Sequence, residues 1–95
     1  MAMLVGICEI ELFIPYSHSL KEKRLVTRSI RDKIAKRFNV SIVEIGFQDK
    51  WQRALFGIAK VSSDEVSVNK VYDYIDKLIA EDGRAEVIRW DKRFV

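Results

Sequence analysis

Ninety-five residues suffice for one domain, residues 1–95, and are too few for two cores. A composition of 48% apolar and 33% charged residues excludes wholesale disorder, and the lone cysteine, Cys8, excludes an internal disulfide and implies no oxidising compartment. The net charge of +3 is too mild to mean nucleic acid by itself, but it is unevenly placed: residues 19–38 hold eight Lys/Arg and two acids, whereas residues 64–82 hold two Lys and six acids.

Residues 1–8 are apolar, lack a basic leader and are too short for a signal peptide or a membrane span, so a cytoplasmic location is expected. Residues 3–14 alternate like a strand, with Leu4, Gly6, Cys8, Ile10, Leu12 and Ile14 on one face and Val5, Ile7, Glu9, Glu11 and Phe13 on the other. Pro15 ends that strand because it has no N–H for the ladder. Ser19 with Glu22 reads as a capping box opening a helix at Leu20. Leu20, Val26, Ile30, Ile34 and Phe38 follow at helical spacing, and Asn39 is the expected left-handed stop. Residues 40–48 and 54–62 flank the polar turn Asp49-Lys50-Trp51-Gln52 and predict a hairpin. Ser62 with Glu65 predicts a second capping box, Val68, Val71, Tyr72, Ile75, Leu78 and Ile79 keep the 3.6 period, and Gly83 closes the helix. Residues 84–93 form a last strand. Two right-handed βαβ crossovers over an antiparallel sheet predict an α+β, ferredoxin-like βαββαβ sandwich: four strands, two helices on one face, the other face open.

Three segments carry a resemblance: Ser19-Leu20-Lys21-Glu22-Lys23-Arg24, Phe38-Asn39-Val40-Ser41 and Gln48-Asp49-Lys50-Trp51-Gln52-Arg53-Ala54. In this order they resemble the YlxP-like bacterial family of unknown function, over nearly the whole chain. The resemblance implies a ferredoxin-like fold and a gene neighbourhood of translation-initiation and ribosome-maturation factors. It supplies no catalytic residue.

No enzyme signature emerges from the residues themselves, and no cofactor is expected. An acylphosphatase-like site needs a phosphate-gripping arginine after the first strand, where Pro15-Tyr16-Ser17-His18-Ser19 has none. One cysteine makes no metal-carrying loop, and the four glycines make no phosphate loop. His18 reads as a solvated loop residue. Glu9 and Glu11 share a strand face but lack a third metal ligand, so cross-strand pairing with Lys60 is expected instead. Trp51, beside Arg53, offers a base or partner side chain a stacking surface, or else folds back over the sheet end. An RNA-recognition motif wants three aromatics where Ala54-Leu55-Phe56-Gly57-Ile58-Ala59 has one.

The basic helix is the strongest candidate. Lys21, Arg24, Arg28 and Arg31 fall at i, i+3, i+7 and i+10 on one face. Lys21, Lys23 and Arg24 sit in the first turns, where the dipole disfavours cations, whereas the second helix starts with Asp64 and Glu65 as the rule asks. Free backbone N–H groups with three cations suit a phosphate. Lys23 also falls angularly within the apolar stripe, from which a lysine snorkels out. The expected function is a non-enzymatic factor binding RNA or a ribosomal subunit through Lys21, Lys23, Arg24, Arg28 and Arg31. Two alternatives stand beside it, a homodimeric interaction module and a phosphate-ligand enzyme. For the homodimer, an outward Lys60 puts Phe56 and Ile58 outside, beside Val5, Ile7, Phe13, Val40, Ile42 and, with an open register, Ile88 and Trp90. Trp51, Arg53, Phe56 and Ile58 are then its partner-binding residues.

Overall fold

The computed structural model describes residues 2–95, so Met1 lies outside the described residues. The elements run β1 (Leu4–Phe13), α1 (Leu20–Arg37), β2 (Ser41–Gly46), β3 (Arg53–Ser62), α2 (Glu65–Asp82) and β4 (Glu86–Phe94). The sheet order is β2-β3-β1-β4 and every pairing is antiparallel, which is the expected ferredoxin-like topology. No described helix is long and apolar enough to cross a membrane.

The core follows the alternation of β1. Cys8, Ile10, Leu12 and Ile14 are buried with Ala54, Phe56 and Ile58 of β3, Ile30 and Ile34 of α1, and Val68, Tyr72, Ile75 and Ile79 of α2. Gly6 lets α2 approach, since a Cβ there would stand 2.5 Å from Val68 and 3.0 Å from the Tyr72 hydroxyl. Burial pushes the Cys8 thiol up to about 12, so it packs as a small apolar group.

Several local expectations are corrected. Asp64, two residues after Ser62, caps α2: its carboxylate accepts the Ser67 N–H at 2.7 Å, and Ser62 instead accepts the Asp64 N–H at 3.2 Å. That N–H bond and the Ser67 hydroxyl lower the Asp64 pKa. α1 ends at Phe38 with extended backbone, so Asn39 is no left-handed stop; among the described non-glycine residues the left-handed one is Phe47, at φ 59°. The pairing of β1 with β4 shifts between Glu11 and Leu12, placing Val87 opposite Leu12 and Trp90 opposite Ile10. The extra residue, Ile88, resets the alternation, so Val87 and Trp90 both pack against the core.

The outer face also differs from expectation. Phe56 pairs with Ile10 and Ile58 with Cys8, so both point at the helices and are buried. Val40 and Ile42 pack against that same core. Lys60 shares the parity of Ile58, yet its ammonium reaches past the helix end to the Asn39 carbonyl at 3.0 Å. A charged residue in a strand therefore does not by itself mark the solvent face. The residues presented outward are Val5, Ile7, Glu9, Glu11 and Phe13 of β1, Leu55, Gly57, Ala59 and Val61 of β3, and Val43 and Ile45 of β2. Ile45 lies over Gly57, 3.4 Å from where a Cβ would be.

Candidate nucleic-acid interface

The start of α1 carries a cap made by its own residues. Ser19 Oγ accepts the Glu22 N–H at 3.0 Å, and the Glu22 carboxylate folds back to accept the His18 N–H at 2.5 Å. The Glu22 carboxylate thus puts a negative charge beside the helix start where a phosphate was expected.

Lys23 itself corrects the expectation. It is 1% exposed, its ammonium lies 3.0 Å from Glu44 Oε2 of β2, and it donates to the Phe47 carbonyl at 2.5 Å. It grips β2 rather than a ligand. The Glu44 oxygen makes no hydrogen bond of its own, so the Lys23 charge is what compensates it. The sequence held half of the signal, since Lys23 lies within the apolar stripe; that Glu44 shares the inward parity of Ile42 follows only from the pairing of β2 with β3.

Arg24, Arg28 and Arg31 do come together. With Thr27, Glu44 and Phe56 they line a concavity of about 190 Å³ between α1 and β2. Their face is thus the flank beside the sheet edge. Arg31 also pairs with its neighbour Asp32 at 3.1 Å. Lys21 is exposed in the first turn but does not line the concavity. Because Lys23 neutralises Glu44 from below, the three guanidinium groups dominate its rim. A larger concavity of about 520 Å³ is bounded by Lys33, Lys36, Arg37, Leu78, Glu81 and Asp82. Its three cations face two carboxylates, and Lys33 binds Asp82 at 2.8 Å.

The remaining candidates divide. Arg53 is committed: it pairs with Glu11, and its guanidinium lies 4.3 Å from the centre of the Phe47 ring. Arg89 approaches Glu11 from the other side at 3.6 Å, so Glu11 pairs with two arginines and not with Lys60. Glu9 faces Asp91 across the ladder, and no group of three metal-ligating side chains occurs among the described residues. Trp51 in the β2–β3 turn is 55% exposed, so the sheet end leaves more than half of it uncovered. Sequence reasoning passed over Gln52, whose side-chain amide donates to the carbonyls of Pro15 at 3.0 Å and Ser17 at 3.3 Å. Phe56 and Ile58 are core residues, so they contribute no outer partner surface.

The chain was compared with known proteins. Residues 5–92 match the family described as "Protein of unknown function (DUF503)". The chain is also 51% identical, over 67 residues, to the "Uncharacterized protein YlxP" of Bacillus subtilis (strain 168), covering 70% of this chain and 73% of that protein. The family match begins in β1 and ends in β4, and so takes in the arginine flank, the Lys23–Glu44 pair and the Trp51 turn together. The chain belongs to the DUF503 family of proteins of unknown function.

Proposed function

We propose that this protein is a small, cytoplasmic, non-enzymatic factor that binds RNA, free or within a ribosomal subunit, through the α1 flank. The observation that carries this reading is the convergence of Arg24, Arg28 and Arg31 on one concavity whose only carboxylate is neutralised from within. Guanidinium groups match phosphate oxygens in geometry as well as charge. The concavity, about 190 Å³, is smaller than the roughly 300–1,000 Å³ of ordinary small-molecule sites. A backbone running across it fits better than an enclosed substrate, which disfavours the phosphate-ligand enzyme.

The test is RNA and ribosomal-subunit binding at two salt concentrations. Affinity should fall with a log–log slope of roughly 0.7–0.9 per phosphate neutralised. Arg28→Glu combined with Arg31→Glu should weaken binding to all sequences alike, while Lys77→Glu on the acidic α2 serves as the charge-change control. Unchanged binding by the double variant would mean the flank is only a solvated surface.

A homodimer through the outer sheet face is the second reading. Val43, Ile45 and Val61 remain 57%, 46% and 60% exposed there, on the β2–β3 side.

A further inference from the structure

Trp51 is fixed from both sides and yet held in water. On one side, the Phe47 carbonyl accepts the Lys50 N–H at 2.9 Å and the Lys23 ammonium at 2.5 Å, which closes the turn and ties it to α1. On the other, the Gln52 carbonyl accepts the Ile14 N–H at 2.8 Å, and the Gln52 amide bridges the carbonyls of Pro15 and Ser17. The β2–β3 turn and the β1–α1 loop are thereby joined into one ledge. Each contributes a ring that stays outside: Trp51 at 55% exposure and Tyr16 at 80%. A tryptophan recruited to seal the sheet end would be covered, because covering the ring is what stabilises the fold.

The ledge adjoins the arginine flank. Lys23, the residue before Arg24, is the one that bonds the turn. From Lys21 to Arg31 the helix rises about 15 Å, enough to follow several phosphates away from the ledge. A cationic track ending at exposed rings is how proteins hold unpaired nucleic acid, since every base has a π-face to stack. A duplex keeps those faces inside its own stack.

We propose that Trp51 stacks unpaired bases of an RNA whose backbone lies along Arg24, Arg28 and Arg31. This rests on the RNA reading above and narrows its ligand to single-stranded or looped RNA.

Fluorescence anisotropy with a labelled single-stranded oligouridylate of about twelve nucleotides, and with a duplex RNA of the same length, tests it. Trp51→Ala should weaken single-strand binding about five- to a hundredfold, leave the salt slope unchanged and spare the duplex. Trp51→Phe should restore most of the loss, and both variants should melt with the wild type because the ring is exposed. If Trp51→Ala binds the single strand normally while Arg28→Glu/Arg31→Glu does not, the platform is wrong and the arginine flank stands. Equal losses on single strand and duplex also overturn the platform. A wild type that binds neither RNA removes both readings.

Discussion

Lys23 shows how one side chain can be misjudged by its charge and explained by its surroundings. Moving an ammonium into the interior costs several kcal/mol unless a partner repays it, and here Glu44 and the Phe47 carbonyl do. Removing Lys23 alone strands Glu44 beneath the arginine rim. Lys23→Met should therefore destabilise the fold by about 2–4 kcal/mol, somewhat below the figure for a wholly buried pair because Glu44 keeps some contact with water. Lys23→Met combined with Glu44→Leu should recover most of that loss. Urea unfolding of wild type and the two variants reads both numbers, and a stable single variant would mean the pair does not hold α1 against β2. Phe47 belongs to the same unit: a left-handed backbone is costly for an aromatic residue, and two donors on its carbonyl plus the Arg53 stack hold it there.

At the scale of elements, the two helices are clasped at one end by Asp82. Its carboxylate, 3% exposed, accepts from Lys33 of α1 at 2.8 Å and from the Arg84 guanidinium at 2.7 Å, and Arg84 reaches on to Ser29 at 2.8 Å. The Arg84 hydrogen bond holds the Asp82 carboxyl well below the usual carboxylate range, and the bond from Lys33 adds to it. The folded-state pKa is thus lower than the unfolded one. Stability from this clasp is present above the unfolded value, near pH 4, and is lost as pH falls below it. Asp82→Asn should cost about 1–3 kcal/mol at pH 7 and flatten the acid limb of the stability profile. Thermal unfolding from neutral pH downward checks this; parallel profiles for wild type and variant would show that the clasp does not titrate. Since Asp82 does not line the concavity formed by Arg24, Arg28 and Arg31, RNA binding by the folded variant should be unchanged.

For the whole molecule the open question is what meets the outer sheet face. Its well-exposed Val43, Ile45 and Val61 lie on the β2–β3 side, whereas Glu9, Glu11, Arg89, Asp91 and Arg93 crowd the β1–β4 side. A dimer would bury the former and leave the latter at its rim. Sedimentation of wild type and Val43→Glu at micromolar concentration should show a dimer and a monomer respectively. A wild-type monomer ends the homodimer reading and leaves the face exposed.

The element order, the buried face of β1 and the apolar stripe of α2 were legible in the chain, because each is set by a local period and by caps a few residues away. Arg24, Arg28 and Arg31 were legible as one group for the same reason. Which way β2, β3 and β4 turn was not. The bulge at Ile88 reverses parity without changing composition, and Lys60 reaches water from an inward position. Nor could local spacing decide that Lys23 is buried: its fate depends on Glu44, twenty-one positions away, which only the packing of α1 on β2 brings within 3.0 Å. The exposure of Trp51 was settled likewise, by Gln52 binding a loop thirty-five residues before it. Periodicity fixes what a residue's own element does with it, whereas a long-range partner exists only once the elements have packed.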